Sequence, residues 1–533
     1  MANTKIDYST TSYYSSLICD YLDKEKNVQI LYNRFPELRN FEGQIKEKKA
    51  SFSLKNRKIL VDSLVQQYVD FKFSEATQKN IEDLKSENTF TITTGHQLNL
   101  FTGPLYFLYK IIAAINLAKQ LKKAYPNYNF IPVYWMASED HDFDEINYFN
   151  FKGKKIQWNR NTSGAVGRLS TVCLSEVAQI VKQQLGDSEK AKELSKLFEE
   201  GYTKHKNLAD ATRFIANELF KKDGLVILDG DDRSLKSLFT PYVKKELHEE
   251  LAFNEVMKVN RYLADKKYKA QVNPREINLF YLDDNIRSRI VKDENGFAVH
   301  NTELFFSEAE LLQLVDDAPE KFSPNALLRP LYQEVILPNL CYIGGGGEIA
   351  YWLQLKSYFE KVAVPFPMLL LRNSLLLMNE SQERKLYKLD LAIENLFLNK
   401  IDLQKYLVHK ISKVQVDFSK EKAHLVKQFE YLSALAKKTD RSFEGAVAAQ
   451  ERKQIKGLEH LEKRMLKAQK RKLANELSRV TDLQEQLFPK GSLQERNKNF
   501  SEFYLDYGFS LLDHLKDVID PLDLTFKVVT LKS

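Results

Sequence analysis

The sequence predicts an α/β protein in which a doubly wound parallel sheet carries helical insertions and is followed by a long α-helical coiled-coil arm. Three observations carry this. Short apolar runs alternate with helical periodicity, and polar, glycine and charged residues gather directly after those runs. Past about Asn379 the strand signal gives way to apolar residues spaced three and four apart.

Residues 1 to about 85 read as helices, with Asn56 to Phe71 showing the clearest spacing. The first strand unit is Thr89 to Thr94, followed by Gly95-His96-Gln97 and a helix expected to start at Gly103-Pro104 and to bury Leu105, Leu108, Ile112 and Ile115. Proline suits that first helical position because its missing N–H would be unpaired there. Four further units follow: Phe130 to Met136 running into Ser138-Glu139-Asp140-His141-Asp142; Leu225 to Leu228 closed by Asp229 to Asp232; Leu340 to Ile343 running into four glycines and a helix; and Val364 to Leu371 ending in Arg372-Asn373-Ser374. Runs that are apolar on both faces suit strands covered from both sides, and the intervening helices supply the crossovers that parallel pairing needs. Ligands of such sheets bind beyond the carboxyl ends of the strands, where this sequence gathers its His, Asp, Gly and Arg residues.

The expected organisation is a core over 1–378 with N-terminal helices and mainly helical inserted segments at about 151–222 and 245–322, an antiparallel coiled coil over 379–487, and a C-terminal segment over 488–533 that returns to core and arm. In the arm, Leu458, Leu461, Met465, Ala468, Leu473, Leu477 and Val480 form one seam, with a break near Thr439 to Ser442 and a continuous helix from Phe443 to Leu487. Ser492 and Glu495 have capping-box spacing, which places a helix start between Lys490 and Arg496.

A length of 533 residues allows two to four domains, and 43% hydrophobic content is that of a folded chain. No basic start with a following apolar run opens the chain, and no uncharged apolar stretch is long enough to cross a bilayer, so a cytoplasmic protein without membrane association is expected. Cys19, Cys173 and Cys341 are too few and scattered for a disulfide framework, and no Cys/His spacing suggests zinc. The net charge of +7 is concentrated: Glu451 to Lys472 holds nine Lys/Arg against three Glu. A solvated helical face explains that segment more simply than a nucleic-acid surface.

Each candidate site residue has a functional and a bland reading. His96, with Gly95 allowing close backbone approach, sits where it can donate to a phosphate or a developing oxyanion, or simply pack in a loop. Gln97, Asn99 and Thr102 share that loop. In Asp140-His141-Asp142 a carboxylate could orient His141 as a base for an ammonium nucleophile, the acids could take Mg²⁺, or the segment could be a solvated turn. Gly344, Gly345, Gly346 and Gly347, before Glu348, could present N–H groups to an anion or merely turn the chain, and no Walker lysine follows. Arg329 and Asn325 suit a carboxylate, a surface ion pair being the alternative. Lys490, Gln494 and Arg496 suit a phosphate at a helix start, or a plain cap.

Taken together, Thr94-Gly95-His96-Gln97 with Thr102-Gly103-Pro104-Leu105-Tyr106, Trp135 through Ile146, Ser323 to Pro330, the glycine turn with Glu348, and Leu493-Gln494-Glu495-Arg496 with Tyr507-Gly508 resemble the bacillithiol biosynthesis cysteine-adding enzymes. The resemblance covers nearly the whole chain. It implies a Rossmann-like core related to class I aminoacyl-tRNA synthetases and nucleotidylyltransferases, inserted connecting segments, and a coiled coil that supports a homodimer. It also implies an enzyme that condenses the carboxyl group of cysteine with the amine of glucosaminyl malate, with ATP, and optionally Mg²⁺, as the source of activation. On that reading His96 and the glycine turn stabilise charge on the activated cysteine, His141 with Asp140 or Asp142 takes the amine's proton, and Arg329 holds a malate carboxylate. The related synthetases carry a His-x-Gly-His element, of which this chain keeps one histidine, His96. Another ATP-dependent synthetase or nucleotidylyltransferase, or a nucleic-acid-binding protein using the basic arm, are the rival expectations.

Overall fold

The computed structural model describes residues 3–411, 417–439 and 441–532. The chain forms two compact units. Residues up to Leu376, together with Gln494–Leu531, make one, and Leu377–Leu493 make the other.

The first unit is built on five strands: β1 (Thr89–His96), β2 (Asn129–Met136), β3 (Val226–Asp229), β4 (Asn339–Gly344) and β5 (Met368–Leu371). All neighbouring pairs are parallel, in the order β5-β4-β1-β2-β3. This is a doubly wound sheet, with its topological switch point between β1 and β4. Every residue of β1 is buried, on both faces, so the threonines that alternate with Phe90 and Ile92 need partners, and Thr91 and Thr93 donate to Asn339 while Thr94 donates to the Ile343 carbonyl. Pro132 is tolerated inside β2 because pairing with β3 begins one residue later, at Val133.

Helices cover the sheet. Helix α1 (Phe41–Ser51) precedes β1, and α2 (Tyr106–Ala124) follows it, burying Leu105, Leu108, Ile112 and Ile115 as expected. Between the loop and α2 the chain makes a short 3-10 turn at Leu100–Thr102, with Phe101 and Thr102 at positive φ, so α2 starts at Tyr106, two residues after Pro104. Helix α3 (Arg233–Glu249) follows β3, α4 (Leu328–Ile336) leads into β4, and the short α5 (Gly346–Trp352) leaves it.

Two features differ from the expectations. The stretch 245–322 is not mainly helical: after the helix Leu251–Asp265 it becomes an antiparallel meander of Leu279–Asp283, Ile286–Asp293, Gly296–Val299 and Phe305–Phe306, with Phe322–Pro324 added at the other edge. The tight turns at Asp284-Asn285 and Glu294-Asn295 set this hairpin series, and its many charged residues on the exposed side mask the alternation. Near the N-terminus, Asn3–Ile6 is a strand that pairs antiparallel with Phe526–Leu531, closing the C-terminal segment onto the first residues.

The second unit contains the helices Lys400–Ile411, Ser419–Ala436, Arg441–Lys472 and Ala474–Leu487. Ser419–Ala436 and Arg441–Lys472 run antiparallel: Phe418 and Lys422 meet Glu462, while Phe429, Ala436 and Val447 cluster at the other end. The long helix ends at Lys472, because Leu473 leaves helical geometry, so Phe443 to Leu487 is two helices. The seam also shifts. Leu461 is 52% exposed and Ala468 is exposed, and Glu462 faces the neighbouring helix in place of Leu461, whereas Leu477 and Val480 are buried as expected. The expected break at Thr439 to Ser442 includes Asp440, which lies outside the described residues.

A buried ion pair ties α1 to α4. Lys48 Nζ lies 2.8 Å from Glu334 Oε2 with both side chains almost fully enclosed, and Glu334 also accepts from Gln333 and Asn339. Lys48→Met leaves the carboxylate without its cation and should lower stability by about 3–5 kcal/mol in urea unfolding; Lys48→Met with Glu334→Leu should recover much of it. Equal losses in both variants would show that the pair itself is unimportant.

Candidate functional site

At the carboxyl ends of β1, β2 and β4 lies a cavity of about 740 Å³. Its position follows from the strand order. Connections leave β1 and β4 toward opposite sides of the sheet, and a crevice opens between them.

The floor is organised around one ion pair. Lys110 of α2 lies 2.5 Å from Glu348 of α5, and its Nζ also donates to the Gly95 carbonyl at 2.7 Å. Glu348 accepts in addition from the Tyr342 hydroxyl at 2.6 Å and from the Gly345 N–H at 2.8 Å. Burial alone would raise this carboxyl, but the Lys110 charge and these hydrogen bonds hold it at about 2. Glycine at position 95 eases this packing, since a Cβ there would meet the Tyr342 hydroxyl at 3.1 Å and push it against its bond to Glu348.

His96 stands beside the pair, packed against Tyr106 and Phe107 and hydrogen-bonded to the Thr102 backbone. Burial, reinforced by Lys110, depresses its imidazole to about 3, so the ring is neutral. Its Nε2 is buried without a hydrogen-bond partner among the described residues, and so is Nε of Arg372. Arg372 also lies over the Tyr106 ring, and its terminal nitrogen donates to Glu495 at 2.7 Å. The two orphaned atoms differ in kind: Arg372 Nε is a donor suited to a phosphate or carboxylate oxygen, whereas His96 Nε2, on a neutral ring whose proton is turned to the Thr102 backbone, is an acceptor suited to a ligand hydroxyl or N–H.

Two further guanidinium groups line the cavity and form no ion pair with a carboxylate among the described residues. Arg329 donates to Gln333 and to the Tyr351 hydroxyl and lies over the rings of Trp135, Tyr342 and Trp352. Arg287 comes from the meander, lies over Phe280, and donates to Ser323, to the Pro324 carbonyl and to His141 Nδ1.

The expected pairing of His141 with a carboxylate does not form. Asp140 Oδ1 is 3.8 Å from His141 Nδ1 and instead accepts the backbone N–H groups of His141 and Asp142, while Oδ2 accepts from Gln97. Burial works to raise the Asp140 carboxyl, but Gln97, the Arg287 charge and those N–H groups bring it below the ordinary range. Arg287 takes the place at Nδ1, 2.6 Å away, and burial together with that charge lowers the His141 pKa rather than raising it. Asp142 caps the short helix Phe143–Ile146. With Asp140 and Asp142 engaged on backbone N–H groups, no group of three acidic, His or Cys side chains suited to a metal is gathered among the described residues.

Of the remaining sequence candidates, Gln97, Asn325, Glu348, Gly345, Gly347 and Arg496 line the cavity. Asn99 and Thr102 sit in the loop behind it, where Asn99 donates to the Glu145 carbonyl. Gly344 is the last residue of β4 and Gly346 the first of α5, facing Tyr14, and neither lines it. The N–H of Gly345 is taken by Glu348, so the glycine turn presents fewer donors to a ligand than its composition suggested. Gln494 is buried and does not line the cavity, and Lys490 belongs to the second unit. Glu495 is not a capping residue, because both its oxygens accept from the Arg372, Ser374 and Leu375 groups.

Sequence reasoning missed Lys110, Arg372, Arg287, Tyr342 and Tyr351. A signal existed for Lys110, a lysine between Tyr109 and Ile111 in a run otherwise apolar, and for Arg372, directly after β5. Nothing in the sequence singled out Arg287, since it sits in an insertion of common strand composition.

The pH dependence of stability should carry the mark of His96. Its folded value of about 3 lies below the unfolded value near 6.5, so the unfolded chain takes the proton first and stability is lost as pH falls between those values. In His96→Gln the loss between pH 6.5 and 4 should be smaller by about 3 kcal/mol; the same loss in both proteins would show that His96 is not the group responsible.

Comparison with known proteins places these features. The model of the bacillithiol biosynthesis BshC N-terminal Rossmann-like domain matches residues 1–373, and that of the BshC C-terminal coiled-coil domain matches residues 375–531. The chain is 56% identical over 526 residues to a protein of Flavobacterium johnsoniae named "Putative cysteine ligase BshC", covering 99% of each. Proteins of the same name from Christiangramia forsetii and Bacillus cereus are 54% and 26% identical, over 99% of both chains in the first case and 94% and 95% in the second.

Proposed function

We propose that this chain, which belongs to the bacillithiol biosynthesis BshC family, joins the carboxyl group of cysteine to the amine of glucosaminyl malate in an ATP-dependent ligation. The observation that carries the reading is the cavity at the switch point of the sheet, where cationic and orphaned polar groups outnumber the carboxylates left free to answer them. A carboxylate is a poor acyl donor, and ATP would supply its activation.

The chain's own groups divide the work. Arg372 Nε, with Arg496 at the rim, would hold the phosphate-bearing group, and His96 Nε2 would accept from a hydroxyl or N–H of the same ligand, roles that their orphaned state fits. Burial, with the Lys110 charge adding to it, keeps the His96 ring neutral, and the Lys110–Glu348 pair does not itself face the ligand as a free charge. Arg329, with Asn325 beside it, would take a malate carboxylate, since its guanidinium forms no ion pair with a carboxylate among the described residues. Mg²⁺ enters only as a companion of the ATP phosphates, because Asp140 and Asp142 are engaged elsewhere.

A homodimer through the second unit is part of the same proposal. Tyr431, Leu432, Leu435 and Phe443 leave 67%, 42%, 42% and 56% of their surface exposed toward one end of the helical hairpin, an apolar patch that a second copy would cover. Substituting Tyr431 and Phe443 by serine should shift the protein to monomer in sedimentation; an unchanged sedimentation coefficient would place the contact elsewhere.

Purified protein given cysteine, glucosaminyl malate and ATP should yield the amide. Arg329→Ala should raise the KM for glucosaminyl malate roughly 10- to 100-fold with less effect on that for cysteine. A product with another acid, or no product at all, would favour a different ATP-dependent synthetase on this fold, and an equal effect on both substrates would remove the role given to Arg329.

A further inference from the structure

We propose that Glu139 is the general base of the ligation, taking the proton that the acceptor ammonium must lose before its nitrogen can attack. The inference rests on the amide-forming reading above. One N–H proton of the ammonium passes to the Glu139 carboxylate, which frees the nitrogen lone pair that forms the C–N bond, and a second leaves the nitrogen for the departing phosphate group as the amide is completed. The bond from the cysteine carbonyl carbon to its ATP-derived phosphate group breaks, and that group leaves with the electron pair.

The argument begins with the tautomer of His141. A guanidinium has only hydrogens to give, so His141 Nδ1, 2.6 Å from Arg287 Nη1, is the acceptor and the ring proton sits on Nε2. Such an imidazole can donate a hydrogen bond to a ligand, but it has no unoccupied lone pair with which to accept a proton. Protonating Nδ1 would also set two cations against each other.

Glu139, two residues earlier, has what His141 lacks. It lines the cavity, only 8% of its surface is exposed, and its carboxylate has no hydrogen bond from a backbone N–H among the described residues. One oxygen lies 2.6 Å from Lys236 Nζ of α3, which is shared with Asp231 at 2.9 Å and with the Glu320 carbonyl at 3.0 Å. Asp231 is in turn held by Arg168, and Asp229 by the Ser138 hydroxyl. Arg287, from the meander, is the cation facing Glu139 from the cavity side. Burial and the Asp231 charge favour the protonated carboxyl, and Lys236 and Arg287 oppose them. The balance leaves this carboxyl above its ordinary range, which makes it a stronger base than an exposed carboxylate.

Hydroxylamine, an acceptor already uncharged at pH 7, separates proton removal from positioning. With cysteine and ATP, wild-type protein should form both the hydroxamate and, from glucosaminyl malate, the amide. In Glu139→Gln, amide formation should fall at least about 100-fold, with loss of the acidic limb of its pH profile, while hydroxamate formation stays within a few-fold of wild type. Glu139→Asp, which keeps the carboxyl, should recover part of the amide activity and restore the limb. An equal fall of both products in the two variants, or amide formation by Glu139→Gln near the wild-type rate, overturns the assignment. Wild-type protein that forms hydroxamate but no amide overturns the acceptor reading, and the base with it, before any substitution is made.

Discussion

The site depends on the salt bridge between Lys110 and Glu348. Its two ends belong to the helices that leave β1 and β4, the strands on either side of the switch point, and its hydrogen bonds reach the Gly95 carbonyl, the Tyr342 hydroxyl and the Gly345 N–H. Opening a crevice at that point exposes strand ends whose backbone groups need partners. The ion pair supplies them, and in doing so it fixes the distance between the two strand ends and the place of His96 between them. A buried pair of this kind adds little to stability compared with apolar packing, but it gives the crevice a single geometry.

The electrostatics of the cavity follow from that anchor. Glu348 is fully engaged with Lys110, so it does not neutralise the arginines around it. Arg329 and Arg287 make hydrogen bonds to neutral groups, and Arg372 keeps one N–H unpartnered. Buried cations left in this state favour an anionic ligand over water, and the low dielectric of the enclosed floor strengthens the preference. The acidic side is different in kind. Glu139 and Asp231 share Lys236, Asp231 is also held by Arg168 and Asp229 by the Ser138 hydroxyl, and burial raises the Glu139 and Asp229 carboxyls above the ordinary range.

The inserted meander also belongs to the site. It delivers Arg287 and Phe280 onto the cavity and converts His141 from the expected base to a fixed donor. An insertion that reads as decoration on the sheet thereby determines which residue can accept a proton.

The amino-acid sequence determined the sheet and the rim on its own. β1 is legible from its β-prone Thr, Phe and Ile residues and β4 from its apolar run Leu340 to Ile343, and the ends of β1, β2 and β4 carry His96, Asp140, His141 and Glu348 because ligand-facing residues of such a sheet must lie there. Local spacing was legible for the same reason in α2, whose buried positions follow the helical repeat. What the tertiary structure decided is partnership. Whether Asp140 meets His141 or the backbone, whether Glu495 caps a helix or holds Arg372, and whether Leu461 or Glu462 faces the next helix depend on groups more than a hundred residues away or on a rotation of a few tens of degrees. A hydrogen bond has to be made within about 3.5 Å, and no local pattern of residue types encodes that distance.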